Sequence, residues 1–221
     1  ENISYFHMAH SYVRGNWRNS ATSAPMILAK CCHDLDLLYW FQDEKCTQLS
    51  SFGTLRHFRP ENAPPNAPER CTDGCPAAET CPFYAPRIYV ESIPIKQAVS
   101  QASNPFIKRV GKLTLNQPWF ANTLGKIIPP LQILTEYSGW PRSTITEAPQ
   151  SDQAVMDTLK TGPYGRCVYH CDNNVVDHQV VSMVFPSGIT ATLTMHGHSH
   201  EEGRTIRVDG SRATLLGKFS Y

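Results

Sequence analysis

The sequence predicts an α+β fold, and two kinds of pattern support that class. The C-terminal third contains two pairs of strand-like segments, each pair separated by a short turn: residues 175–185 and 189–196, and residues 205–208 and 213–216. Paired segments of this kind are typical of β-hairpins. Residues 25–41, by contrast, place apolar side chains at helical spacing. We therefore expect an antiparallel sheet with a helix ahead of it in the chain.

Composition narrows the classes of function. The 221-residue chain has a formal net charge of +1, so it offers no strong field to attract nucleic acid or an anionic membrane. It has no apolar run of the roughly 20 residues that span a bilayer and no export signal, so we expect a cytoplasmic protein. Its eight cysteines are too sparse for a disulfide scaffold, which favours reduced thiols or metal ligands. Because it begins at Glu1 rather than methionine, we expect a piece of a longer polypeptide.

The N-terminal segment is predicted to be a strand that leads into a loop. Residues 3–13 are rich in aromatic and β-branched side chains. The loop that follows carries Arg14, Trp17 and Arg18. Guanidinium groups bind carboxylates and phosphates, and an indole offers a flat face to sugars or nicotinamide rings. The alternative is a surface loop in which Trp17 covers the core.

Residues 25–41 are predicted to form one helix that carries candidate chemistry. Pro25 lies in its first turn, where proline is well tolerated. Lys30 and His33 are three residues apart, so on a continuous helix they share a face beside an apolar stripe. Such a helix suits a site at a domain junction. The plainer alternative is a core helix with a hydrogen-bonded histidine.

An unusual segment follows a second strand that we predict at residues 47–57. Residues 58–87 are rich in proline, which favours an extended connection over a helix or an interior strand. Cys71, Cys75 and Cys81 lie close together in this segment. Three thiolates with a fourth ligand from elsewhere could bind structural zinc or an iron–sulfur cluster. The alternatives are unbound thiols or a set that includes one disulfide.

Residues 88–150 are predicted to form an irregular helical insertion, because helix-compatible runs alternate there with proline-containing breaks. A short helix is expected at residues 151–160. Ser151 is its predicted N-cap and Gly162-Pro163 ends it.

Three histidines near the C-terminus suggest a metal site. His196, His198 and His200 alternate along the chain, so all three lie on one face of an extended segment. Because the sequence fixes no carboxylate beside them, we favour a polar strand end over a metal site.

The order of these features resembles the Gfo/Idh/MocA family, the relatives of glucose-fructose oxidoreductase and inositol dehydrogenase. The features are a strand, a loop with tryptophan and arginine, a helix ending in His-Asp-x-Asp-Leu-Leu-x-Trp, and a hairpin with Phe-x-x-Gly-x-x-Ala-x-Leu. The closing segment RTIRVDGSRATLLG resembles the last strands of that family. The resemblance covers roughly residues 3–41 and 175–219.

The resemblance implies that residues 1–221 are a single C-terminal domain for substrate binding and oligomerisation. In this family it follows an N-terminal Rossmann domain that binds NAD or NADP. Its fold is α+β, with an open, largely antiparallel sheet that has helices packed on one face and often makes a homodimer. This chain has neither Gly-x-Gly-x-x-Gly nor Glu-Lys-Pro. We therefore expect its cofactor domain to be a separate part of the polypeptide, and no hydride transfer by this fragment alone.

Carried over by position, the site histidine of the family falls on His33. The resemblance gives it the role of exchanging a proton with a substrate hydroxyl as hydride leaves the same carbon. The family commonly has an aspartate four residues earlier, where this chain has Ala29. Lys30, beside it, could bind a substrate oxygen instead. Asp36 matches a family aspartate that orients the histidine or caps nearby backbone.

The resemblance also suggests where the substrate, a polyol, sugar or related hydroxy compound, would bind. The pocket candidates are Arg14, Trp17, Arg18, Tyr164, Arg166 and His178. Strand register decides which of them face the substrate. A different class of function stays open at this point: a metal-stapled binding or scaffold domain that has lost redox activity, as the absence of the aspartate at position 29 would permit.

Overall fold

The computed structural model describes residues 1–128, 137–147 and 151–219. The chain divides into two compact units. We call one the sheet unit, which comprises Glu1–Ala63 and the chain from Val168 onwards, and the other the helical unit, Pro64–Cys167. The α+β class is confirmed, because helices occur together with a four-stranded and a two-stranded sheet.

The sheet unit contains all the named strands of the described residues. Its N-terminal part consists of β1 (Asn2–Ser4), α1 (Tyr5–His7), a π-helix (Met8–Arg14), α2 (Met26–Ala29), α3 (Cys32–Gln42), β2 (Gln48–Thr54) and a 3-10 turn (Pro60–Asn62). Its C-terminal part consists of β3 (His178–Val184), β4 (Thr190–Ser199), β5 (Arg204–Asp209) and β6 (Thr214–Phe219). The predicted second strand and both predicted hairpins are confirmed.

The predicted first strand is wrong beyond Ser4. The strand covers only Asn2–Ser4, and the following residues form α1 and the π-helix. The reason is visible in the burial pattern, whose buried apolar positions are Met8, Ala9, Tyr12 and Val13. That spacing is helical rather than alternating, so burial of this helical segment overrides the strand propensity of the aromatic and β-branched residues.

The four-stranded sheet has the order β1-β4-β3-β2. Strand β1 runs parallel to β4, and the other two neighbouring pairs are antiparallel. Strands β5 and β6 form a separate antiparallel pair. The sheet is therefore largely antiparallel, as predicted.

The two faces of the four-stranded sheet differ in burial. Apolar side chains of alternate residues in β3 and β4 are buried: Val181, Met183, Leu193 and Met195. Helices α1 and α3 contact β4. The other face, which we call the open face, carries the intervening residues, and its Phe52 side chain is 76% exposed.

The helical unit contains residues 64–87 of the predicted cysteine- and proline-rich excursion, whose first six residues belong to the sheet unit, and the predicted irregular insertion. Its elements are α4 (Ala85–Tyr89), α5 (Ile93–Ser100), α6 (Pro105–Asn116), α7 (Pro118–Ile127), α8 (Asp152–Thr161) and two 3-10 turns (Arg142–Thr144 and Pro163–Gly165). The described part of the insertion contains α5 to α7 and the Arg142–Thr144 turn, joined by non-helical segments, and its residues 129–136 and 148–150 lie outside the described residues. The Ser151 hydroxyl accepts a hydrogen bond from the Ala154 amide at 3.1 Å, which confirms the predicted cap.

No helix within residues 1–128, 137–147 and 151–219 combines the length and the apolar character needed to cross a membrane.

Gly165 occupies a position in the helical unit that has no room for a side chain. A Cβ atom there would overlap the carbonyl group of Leu159, and the Gly165 carbonyl is itself held by the Cys71 amide at 2.9 Å. We expect Gly165→Ala to lower the free energy of unfolding by about 3 kcal/mol, because backbone must move on both sides. Urea unfolding of the intact chain measures it. In the control Gly210→Ala the nearest atom is 3.3 Å away, and equal losses in both variants would contradict the prediction.

Candidate functional site

The helix predicted over residues 25–41 is divided at Lys30 and Cys31. Helix α2 ends at Ala29, and Lys30 has φ −122° and ψ −45°. Cys31 has φ −88° and ψ 5°, and α3 begins at the next residue. The prediction of one continuous helix is therefore wrong. Lys30 and His33 were expected to share a face because they are three residues apart on one helix. The break between them removes that argument.

Lys30 is held by carboxylates of the sheet unit. Its Nζ atom lies 3.3 Å from Glu1 Oε1 and 3.6 Å from Glu202 Oε1. Glu202 also accepts a hydrogen bond from the Ser4 hydroxyl at 2.6 Å and pairs with the His7 ring. The lysine ammonium is thus fixed between two carboxylates rather than extended into solvent.

Asp34 anchors the first turn of α3 to the same group of charges. It is 8% exposed, and its Oδ1 atom lies 2.8 Å from Arg204 Nε. The same Nε atom lies 3.1 Å from Glu1 Oε2. We call Glu1, Lys30, Asp34, Glu202 and Arg204 the buried ion cluster. It joins the start of α3 to the start of β5.

The environment of the two glutamates shifts their pKa values in opposite directions. Burial, followed by the charge of Asp34, raises the pKa of Glu1 even though Lys30 and Arg204 act in the other direction. Burial also opposes ionisation of Glu202, but its hydrogen bonds from His7 and Ser4, together with Lys30, lower its pKa overall. Glu202 is thereby the carboxylate best stabilised as a partner for Lys30.

His33 and Asp36 both lie on the exposed surface of α3. His33 is in the first turn, next to the anchored Asp34. The His33 imidazole is therefore accessible to solvent. The next residue, Asp34, is held by Arg204 and so fixes the backbone beside it. The core-helix alternative, in which this histidine is buried and hydrogen-bonded, does not hold.

The predicted arginine and tryptophan loop is only partly a loop. Arg14 is the last residue of the π-helix and is 1% exposed, so its placement on a surface loop is wrong. Trp17 is exposed. Arg18 lies 2.9 Å from Asp172 Oδ1 and also donates to the Gly15 carbonyl at 3.3 Å. Of the three, Trp17 presents the most open surface.

Tyr164 and Arg166, two further pocket candidates, belong to the helical unit. The Tyr164 ring packs edge-on against Tyr89, with 6.0 Å between ring centroids. Arg166 pairs through its main chain with Arg70. Both positions have a structural role within that unit, and their role as substrate contacts stays a prediction.

The Arg87 side chain holds the cysteine-rich segment. The Arg87 guanidinium donates to the carbonyl groups of Cys81, Ala78 and Glu79 at 3.1, 2.7 and 2.9 Å. Cys71 is buried, and Cys75 and Cys81 are half-buried. Within the described ranges, no group of three or more histidine, cysteine, aspartate or glutamate side chains could hold a metal ion. Zinc at these cysteines stays a prediction.

His10 is buried in the π-helix, and its pKa has a consequence for stability. Burial, helped by His7 and Arg14, lowers the pKa of His10 from 6.5 to about 3. Between those values the unfolded chain binds a proton that the folded chain does not, so stability falls as pH is lowered. We expect the loss from His10 to approach 1.4 kcal/mol per pH unit below about 6.

Urea unfolding at pH 7 and pH 5 measures this loss. His10→Gln should lose less stability between the two pH values than the unmodified chain. His200→Gln, which changes an exposed histidine, should keep the full loss. Equal losses for His10→Gln and the unmodified chain would show that His10 does not carry the effect.

Asp177 and His178 form a second polar arrangement, at one end of the four-stranded sheet. The Asp177 side chain is buried, and its Oδ2 atom accepts hydrogen bonds from the amides of Arg56 at 2.9 Å and His57 at 2.5 Å. Its Oδ1 atom lies 2.9 Å from His178 Nδ1. The carboxylate is thus fixed by backbone and fixes the His178 ring in turn.

His57 and His198 lie near this carboxylate. Their rings stack with 4.8 Å between centroids and 10° between planes. Burial, and then the charge of His198, lower the pKa of His57, although Asp177 acts in the opposite direction. The stack therefore favours neutral His57.

Sequence reasoning missed the residues that position these sites. They are Glu1, Asp34, Asp177, Glu202 and Arg204. Their partners lie far away in the chain, as with Asp34 and Arg204, which are 170 residues apart. A local signal existed for one of them, because Asp177 directly precedes His178 within the strand predicted at residues 175–185.

Comparison with known proteins adds no identification. No family model, no curated protein and no solved structure matches the chain. Membership of the Gfo/Idh/MocA family therefore stays a prediction.

Proposed function

We propose that this chain is the substrate-binding and dimerisation domain of a cytoplasmic NAD(P)-dependent oxidoreductase. The observation that carries the proposal is the position of His33, exposed in the first turn of α3 beside Asp34, which the buried ion cluster anchors. The proposed substrate is a polyol, a sugar or a related hydroxy compound. The resemblance described above supports the same role.

In the proposed reaction His33 moves a proton. A neutral imidazole on a fixed backbone can accept the hydroxyl proton of a bound alcohol, or return it to a carbonyl oxygen in the reverse direction. Lys30 supplies a positive charge near the start of the same helix, which suits a substrate oxygen that becomes more negative. Because Glu1 and Glu202 hold Lys30, its ammonium would act as a fixed charge.

The residues present fit one part of the cofactor. When NAD(P) is bound, it supplies or accepts the hydride. Trp17 and His33 are both exposed, and an indole and an imidazole are suitable neighbours for a nicotinamide ring. The sequence has no glycine-rich phosphate-binding motif, so we assign the pyrophosphate to a Rossmann domain elsewhere in the polypeptide.

The first test is the sequence that precedes Glu1 in the gene. A glycine-rich strand-turn-helix segment with a later Glu-Lys-Pro would support the proposal, and a segment without them would contradict it. Titration of the 221-residue chain with NADH or NADPH provides a second test. We expect no tight binding, because the pyrophosphate site belongs to the other domain.

A binding domain without redox activity is the second candidate. Ala29 favours it, because a carboxylate is absent where the resembled family has one. Measuring turnover by the complete polypeptide separates the two candidates. A binding domain without redox activity would show no turnover of any polyol or sugar with either NAD or NADP.

The open face of the sheet is the proposed dimer surface. Phe52 and Val180 are paired across β2 and β3 and are both exposed there. Apolar surface of this kind gains stability when it is covered. We expect Phe52→Lys to weaken a homodimer at least tenfold in sedimentation equilibrium. The control Leu216→Lys, on β6 of the separate hairpin, should leave the dimer unchanged, and equal effects would contradict the prediction.

A further inference from the structure

The alternating histidines of β4 have different environments. His198 stacks on His57, and His200 follows the end of β4. His196 faces β3, where its direct cross-strand partner is His178. His196 therefore differs from the other two alternating histidines, because it is paired with His178 of the neighbouring strand.

His178 and His196 are close neighbours because of their position in the ladder. The Gly197 amide donates to the Asp177 carbonyl at 2.7 Å, so the next pair along, His178 and His196, is the non-hydrogen-bonded type. In such pairs the Cα atoms are only about 4.5 Å apart, and side chains on the same face come into contact range. Both imidazoles extend from the open face, where His196 is exposed and the His178 side chain is 39% exposed.

Asp177 determines which nitrogen of His178 is available. Its carboxylate oxygen accepts from Nδ1 of His178, so Nδ1 carries the hydrogen and Nε2 carries the lone pair. A histidine whose other nitrogen donates to a carboxylate is the usual arrangement of a metal ligand, since it fixes the ring and raises its basicity. No carboxylate could be placed from the sequence beside the alternating histidines of β4, whereas in the structure Asp177 orients their neighbour His178.

We propose that His178 and His196 bind a divalent transition-metal ion on the open face, with Asp177 orienting His178. Imidazole pairs favour copper(II), nickel(II) and zinc(II) over magnesium or calcium. A pair leaves the remaining coordination positions to water or to donor atoms of a bound molecule. Because the chain supplies only two ligands, the bound ion is exchangeable, and the site does not depend on the proposed oxidoreductase activity.

Nickel(II) alone is the probe, titrated into the intact, metal-free chain by calorimetry with absorption spectra recorded in parallel. The expected result is binding without thiolate-to-nickel charge-transfer absorption. His196→Asn, which changes an exposed side chain, should lose one equivalent of bound nickel, whereas the matched control His200→Asn should keep it. Asp177→Asn should weaken binding by about 10- to 100-fold, the usual effect of removing a carboxylate that orients a ligand.

Two outcomes would overturn the inference. One is an unchanged nickel stoichiometry in His196→Asn, which would place the ion elsewhere. The other is binding that occurs only with thiolate absorption, which would assign the metal to cysteines. Circular dichroism of each variant separates loss of the site from loss of the fold. Because His196 is exposed, its variant tests the inference even when Asp177→Asn does not fold.

Discussion

Replacing His33 with asparagine is expected to reduce turnover by about 10²- to 10⁴-fold, the usual contribution of a general acid or base. The polypeptide to be measured is the one that joins this chain to its proposed Rossmann domain. Asparagine keeps hydrogen-bonding groups at an exposed position of α3 but cannot exchange a proton. The expected decrease is therefore in kcat, with a smaller change in KM.

The control for this experiment is His200→Asn, which alters another exposed histidine of the sheet unit. It should leave turnover unchanged. A normal kcat in the His33 variant would remove His33 from the mechanism. A large rise in KM with unchanged kcat would make His33 a binding residue rather than a proton carrier.

Replacing Arg204 with methionine is expected to lower the free energy of unfolding of the chain by about 3–5 kcal/mol. The Arg204 side chain is 15% exposed, and its guanidinium contacts both Glu1 and Asp34. Without it, two buried carboxylates lose their shared cation, and a buried charge without a partner is costly. Urea or thermal unfolding measures the change.

The same strand provides a matched control. Arg207 lies three residues along β5, and its ion pair with Asp209 involves side chains that are 68% and 58% exposed. Arg207→Met should cost far less stability than Arg204→Met, because water screens exposed pairs. Adding Asp34→Asn to Arg204→Met should recover part of the loss. Equal costs for the two methionine variants would mean that burial of the ion cluster contributes little.

Much of the fold could be predicted because its signals are local. The C-terminal hairpins depend on short turns, and the cap at Ser151 depends on the next three residues. The strand at Gln48–Thr54 could likewise be predicted from the local pattern of its own residues. The π-helix was missed because aromatic and β-branched residues favour strands, and only burial against the rest of the protein reverses that preference.

The candidate site could be predicted only in part, because many of its contacts join residues that are far apart in the chain. His33 could be named as a candidate from residue type and helical spacing, whereas His178 was named through the family resemblance. The helix break at Lys30, the burial of Arg14 and the ion cluster depend on contacts between distant parts of the chain. Asp34 illustrates this, because in the sequence it resembles Asp36, whereas in the structure only Asp34 is buried against Arg204.

The parallel pairing of β1 with β4 also has a consequence for the order in which the protein folds during synthesis. His7 and Glu202, whose side chains pair beside these strands, are 195 residues apart. At ribosomal rates of about 5–20 residues per second, the N-terminal strand waits for about 10–40 s before its partner emerges. The helical unit, whose residues are contiguous, can complete itself within that interval. The N-terminal segment, whose apolar side chains Met8, Ala9 and Val13 are buried in the folded protein, thus stays without its strand partner during that interval.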